Sequence, residues 1–136
     1  KPSIVLLTVQ KEVAERITAV PPKMSLLAVS TQLYGQAELL STIKAGAFWP
    51  RPDVDSAVLR LTLYPQPLLP YAEEKKFFTI VKAGFSQKRK QLKNNMRQLG
   101  YNRDEVTAVL QAAQVDGRRR AETLTLNEWL AIHQNL

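Results

Sequence analysis

The chain has 136 residues, of which 45% are hydrophobic, and it carries a net charge of +7. That length accommodates one core or two small ones. There is no cysteine and only one histidine, His133, which excludes disulfides and thiolate metal sites. No apolar run approaches the ~20 residues that a membrane helix needs.

Ser3 to Val9 is a continuous apolar run of strand length. It suits a parallel strand buried on both faces. Gln10 to Ala19 reads as a helix with Val13, Ala14 and Ile17 on one face. Pro21 and Pro22 end it. Ser25 to Tyr34 reads as a second helix, with Ser25 as its candidate N-cap and Gly35 as its stop. Ala37 to Ile43 is a strand.

A loop follows that presents two adjacent aromatics, Phe48 and Trp49. Pro50 and Pro52 stiffen it, because each fixes its own φ and biases the preceding residue toward extended conformations. From Ser56 to Leu63 the pattern is again a strand, with Leu59, Leu61 and Leu63 alternating with Arg60 and Thr62. A stiff loop carrying aromatics suits gripping something flat. The plainer alternative is that the two rings cap a core. Asp55 suits a bond to local backbone at the start of the strand.

Pro65, Pro67 and Pro70 form a stiff linker, which places a boundary near residue 68. Beyond it the pattern is helical. Tyr71 to Ala83 puts Phe77, Phe78 and Val81 on one face, and Gly84 marks a loosened junction. Leu92, Met96 and Leu99 form an apolar stripe on a basic helix ending at Gly100. Asn102 to Glu105 and Thr125 to Glu128 read as capping boxes that open two more helices. Gly117 ends the first of them. His133 falls on the apolar side of the last helix, a structural position. Met24 and Met96 read as core filler.

The charge is unevenly spread. Between Lys75 and Arg103 stand nine basic residues and no acid. Arg118, Arg119 and Arg120 add three more. A solvated helix face interleaves both signs, so this run points to a polyanionic partner. The five glycines are scattered at 35, 46, 84, 100 and 117, so no glycine-rich loop can cradle a phosphate or cofactor. No nucleophile–histidine–acid set can be assembled. The residues themselves describe a binding module.

Three stretches carry a resemblance. Phe48-Trp-Pro-Arg-Pro-Asp-Val-Asp-Ser56 resembles the F-x-P-x-P-x-V-D-S segment of the KsgA-type rRNA adenine dimethyltransferases. Val9 to Ile17 and Phe85 to Asn95 resemble further segments of that family, in family order. The match is to its C-terminal half. The resemblance implies an α+β fold: the last three strands and helices of a Rossmann-like methyltransferase domain over residues 1–68, followed by a small all-α, RNA-binding domain over residues 69–136. In the parent fold the strand near Ser56–Leu63 is expected to lie antiparallel between Ile4–Val9 and Ala37–Ile43.

The resemblance also implies an enzyme that transfers methyl groups from S-adenosylmethionine to two neighbouring adenosines of small-subunit rRNA during ribosome biogenesis. The family's cofactor loop and its Asn-Leu-Pro-Tyr motif have no counterpart in this chain, so the piece alone is expected to be catalytically silent and to bind no cofactor and no metal. Phe48, supported by Trp49, Pro50 and Pro52, is expected to stack on the extruded target adenine. Lys82, Lys88, Arg89, Lys90, Lys93, Asn94, Arg97, Arg118, Arg119 and Arg120 are the expected RNA-binding residues. They would recognise backbone and shape, because A-form RNA hides its major-groove edges. Asn94 and Asn95 suit either phosphate or sugar contact, or helix packing.

The expected partners are small-subunit rRNA and the pre-small ribosomal subunit, in a bacterial cytoplasm and with no membrane. Two other readings stay open: a stand-alone RNA- or ribosome-binding module, and a large-subunit rRNA methylase of the erythromycin-resistance class. A helical DNA-binding domain would fit the charge but not the aromatic loop. The strand Ile4–Val9 is expected to have one unpaired edge, through which the chain either forms an artefactual homodimer or becomes poorly soluble.

Overall fold

The computed structural model describes residues 3–136. The chain divides into two compact units. One holds the residues up to Ala19 together with Leu27–Leu68, and the other holds Val20–Leu26 and Leu69–Leu136.

The first unit is built on three strands, β1 (Ile4–Gln10), β2 (Gly35–Ile43) and β3 (Ser56–Leu63). Their order is β1-β3-β2, and β3 is antiparallel to both neighbours. This is the arrangement the sequence leads one to expect. The expectation of a parallel strand buried on both faces fails for β1. Helix α1 (Lys11–Ile17) packs against all three strands, with Ala14 and Ile17 buried, and the core face of β3 supplies Ala57 and Leu59. The register puts Leu7 opposite Leu59 and Val9 opposite Ala57 on that face. Ile4 and Leu6 stand opposite Thr62 and Arg60. They point the other way, because side chains alternate along a strand, and they are 61% and 62% exposed.

Helix α2 (Leu26–Gln32) returns the chain to the sheet. The Gln32 side chain donates from Nε2 to the carbonyls of Ile17 and Ala19, 2.9 Å each. It thereby satisfies carbonyls that the end of α1 leaves open. Tyr64 Oη donates to the Gln32 carbonyl at 2.8 Å. Gly35 does not merely stop α2. It opens β2, and a Cβ there would collide with the Thr62 carbonyl of β3. β2 bulges between Leu39 and Ser41. The extra residue bends the strand where it runs toward the aromatic loop.

The second unit contains α3 (Glu74–Gly84), α4 (Leu92–Asn95), α5 (Arg103–Ala112) and α6 (Leu126–Gln134), with 3-10 turns at Tyr71–Glu73, Met96–Leu99 and Ala121–Thr123. Both expected capping boxes are present. Asn102 and Glu105 exchange bonds of 2.9 and 3.0 Å at the start of α5. Thr125 and Glu128 exchange bonds of 3.1 and 2.9 Å at the start of α6. The core gathers Phe77, Val81, Leu92, Met96, Leu124, Trp129 and Ile132, all fully buried. Met24 is also buried, and its N–H donates to the Glu122 carbonyl at 3.1 Å, which draws Val20–Leu26 into this unit. His133 is buried edge-on to Phe77, with ring centroids 5.9 Å apart. Gly84 is a packing point and not a loose joint: a Cβ there would strike the six-membered ring of Trp129.

Candidate nucleic-acid interface

The aromatic loop is closed at its base by Asp55. Its Oδ1 accepts from the Ala45 N–H at 2.9 Å, and Oδ2 lies 3.6 Å from Lys44 Nζ. Its carbonyl accepts from Lys11 N at 2.9 Å. The Ala45 N–H bond, helped by the Lys44 charge, holds the Asp55 carboxyl below its ordinary value. A 3-10 turn at Ala45–Ala47 follows, and the chain leaves it extended at Phe48. Phe48 is 37% exposed and Trp49 95%. Phe48 is thus partly sheltered and partly open to solvent. Trp49 is almost bare to solvent and so covers little of the Phe48 ring.

The basic segment is not one helix. Residues 86–91 form turns, and α4 is a single turn followed by the 3-10 turn to Leu99. Lys88, Arg89 and Lys90 therefore stand on an exposed loop. Three distant groups hold this course. Asn95 is buried, and its Nδ2 donates to the carbonyls of Gly84 and Gln87 at 2.9 and 3.0 Å. The first N–H groups of α4, on Leu92 and Lys93, donate to the carbonyls of Arg119 and Gly117 at 2.7 and 2.9 Å. A helix start has such orphan donors and no side chain caps this one. The turn that carries the three arginines caps it instead.

Asn95 is therefore a packing residue, whereas Asn94 is exposed. Asn94 and Arg97 line two adjoining grooves. One, of about 650 Å³, adds Lys90, Gln98, Tyr101 and Asn102. The other, of about 240 Å³, adds Lys93, Arg103 and Thr107. No acid lines either groove, so every charged side chain in their linings is a cation. Arg103 belongs to the same acid-free run as Lys93 and Arg97, and that signal was enough to nominate it. Tyr101 and Gln98 had no such signal. Lys82 is exposed in the last turn of α3, outside both groove linings.

The three arginines part company. Arg120 is exposed. Arg118 pairs with Asp116 at 2.9 Å, and its guanidinium pulls that carboxyl down to about 2. Arg119 is a structural residue and not a free cation. Its guanidinium donates to both carboxylate oxygens of Glu128, to the Thr123 carbonyl and to Thr123 Oγ1. With its donors committed, it has little left for a phosphate.

Among the described residues no helix is long and apolar enough to cross a membrane. Residues 2–136 match the ribosomal RNA adenine dimethylase family. A ribosomal RNA small subunit methyltransferase A from Dehalococcoides mccartyi is 39% identical over 130 residues, covering 95% of this chain and 45% of the relative. The protein of that name from Myxococcus xanthus is 44% identical over 134 residues, covering 95% and 47%. The chain thus spans about half the length of these relatives. Among solved structures, the 23S rRNA methyltransferase ErmE superposes with a TM-score of 0.72 at 26% identity, over 98% of this chain and 54% of that one. A dimethyladenosine transferase from Plasmodium falciparum superposes with a TM-score of 0.79 at 21% identity, over 95% and 55%, and shows the same fold.

Proposed function

The chain belongs to the ribosomal RNA adenine dimethylase family, and on that footing we propose that it is the base-holding and rRNA-gripping part of an S-adenosylmethionine-dependent enzyme. That enzyme dimethylates adjacent adenosines of small-subunit rRNA on the pre-small subunit, in the cytoplasm. The observation that carries this reading is Phe48: a partly exposed aromatic on a loop that Asp55 closes. An exocyclic amine inside a base stack is out of reach of a methyl donor. Extruding the base costs a few kcal/mol, and an apolar ring to rest on offsets part of it. Phe48 supplies that ring, and the loop fixes its position.

The described residues do not fit the cofactor. Gly35 is pressed against a neighbouring strand and Gly46 stands in a 3-10 turn, so neither opens a glycine-rich turn of the kind that receives a nucleotide-like ligand. S-adenosylmethionine supplies the methyl group in the parent enzyme. This chain's residues contribute position and grip.

The grip belongs to residues 69–136, which we read as a helical RNA-binding domain. Lys90, Lys93, Asn94, Arg97 and Arg103 face the acid-free grooves, and Lys82, Lys88, Arg89, Arg118 and Arg120 extend the positive surface around them. The relatives named for the small subunit, at 39% and 44% identity against 26% for ErmE, favour the small subunit over the large.

Binding of the chain to a small-subunit rRNA fragment, followed across a salt series, tests the reading. Replacing Lys93 and Arg97 with Ala is expected to weaken binding and to flatten the log–log salt slope by roughly one to two units. An unchanged slope would overturn the assignment of these grooves to phosphate.

A further inference from the structure

The turn at Gly100 divides two cavities of different character. Gly100 has φ 94°, a left-handed conformation that a Cβ disfavours, and it ends the 3-10 turn Met96–Leu99. On one side is the positive groove of about 650 Å³ that holds Lys90, Asn94 and Arg97. On the other is a cavity of about 480 Å³ with Ile80, Leu99 and Leu136 in its walls. Tyr101 lines both, so the groove and the cavity adjoin. The volume falls in the range of about 300–1,000 Å³ that small-ligand pockets occupy.

The polar groups of this cavity are few and come from one face of α3. Thr79 Oγ1 donates to the Lys75 carbonyl at 2.8 Å, so toward a ligand it is left as an acceptor. Lys76 Nζ donates to the main-chain oxygen of Leu136 at 2.8 Å, which braces the wall. Lys75 adds an exposed cation. Apolar walls, one aromatic and a lysine edge suit a flat, apolar-faced group that belongs to an anion. A nucleotide is such a group, with its base and its phosphate on opposite sides of the sugar. A paired base is enclosed in its helix, so only an unpaired one is free to enter.

We propose that this cavity is a nucleobase site, which takes one unpaired base of the RNA whose phosphates lie in the adjoining groove. The site is separate from Phe48, which belongs to the other compact unit. Phosphate contacts position a protein but carry no sequence information. Seating one base beside them sets the register in which the strand is gripped. This inference rests on the RNA-binding reading above.

The chain is titrated with a short RNA hairpin whose loop holds unpaired purines, and with the same hairpin carrying abasic sites in that loop. Affinity is read from the anisotropy of labelled RNA. The intact loop is expected to bind roughly 5- to 150-fold more tightly than the abasic one, in Phe48→Ala as well as in the unaltered chain. Thr79→Trp fills the cavity and leaves every cation in place. It should lose this preference while its salt slope stays that of the unaltered chain. With 4-thiouridine in the loop, photocrosslinks should map to Leu99 or Tyr101, a readout that holds even if Thr79→Trp fails to fold. Salt-dependent binding with no preference for the intact loop, or with a preference that Thr79→Trp keeps in full, would overturn the inference and leave the RNA-binding reading standing. Crosslinks that miss every lining residue would do the same, and would assign the cavity to an apolar protein side chain. Absence of any RNA binding would overturn both.

Discussion

The Arg119 guanidinium and the Glu128 carboxylate form a two-point ion pair, with Nη2 donating to Oε1 at 3.0 Å and Nη1 donating to Oε2. Glu128 also accepts from the Thr125 N–H at 2.9 Å, the bond that starts α6. One carboxylate thus ties the arginine turn to a helix start. Since the carbonyls of Gly117 and Arg119 receive the first N–H groups of α4, the pair indirectly fixes where the groove-lining residues Lys93 and Arg97 stand.

Arg119→Ala is therefore expected to lower stability, not the salt dependence of RNA binding. Hydrogen bonds to charged groups of this kind are worth about 1–3 kcal/mol in sum, discounted because both side chains are partly exposed. Thermal melting should shift downward, while the salt slope measured on the folded variant stays that of the unaltered chain. A lost slope unit with unchanged melting would return Arg119 to the RNA-binding surface.

The same pair predicts an acid limb. The hydrogen bonds from Arg119 hold the Glu128 carboxyl below its ordinary value of 4.5. A carboxyl depressed in the folded state contributes stability that is fully present above its unfolded value and is lost as pH falls through its folded one. Melting temperature should accordingly decline as pH drops below about 4.5. Glu128→Gln keeps the shape and a side-chain oxygen but not the charge, so it should start less stable and decline less steeply. A parallel decline in both proteins would detach the acid limb from this pair.

Alternation and turn residues located the strands, and the order β1-β3-β2 followed from the fold that the family resemblance implies. The capping boxes were legible because each is a local exchange between residues three apart. The course of residues 86–91 was not. Lys88 to Gln91 are good helix formers, and nothing nearby breaks them. The turn is imposed by Asn95 and by the carbonyls of Gly117 and Arg119, which are remote along the chain. Arg119 was misread for the same reason: an arginine between two arginines looks free until Glu128 is brought beside it. The exposure of β1 likewise followed from a single helix covering one face of the sheet.

That exposure has its own consequence. Among the described residues β1 pairs only with β3, so its other edge has no strand partner there. The expectation to be tested is that this edge either pairs antiparallel across a two-fold axis or leaves the chain poorly soluble. Sedimentation equilibrium should show a dimer that Leu6→Lys on the strand disperses. A monomer at high concentration in the unaltered chain would show that the edge is tolerated bare.

The central claim, that this chain holds the target base for adenine dimethylation of small-subunit rRNA, is tested most directly by a chimaera. Residues 2–136 replace the matching segment of the Myxococcus xanthus relative, and dimethyladenosine in each ribosomal RNA is quantified by mass spectrometry. The account predicts modified adenosines in small-subunit rRNA only, with turnover falling far more than RNA affinity when Phe48 becomes Ala. A chimaera that folds and binds rRNA but leaves its adenosines unmodified, or one that works as well without the Phe48 ring, would contradict it.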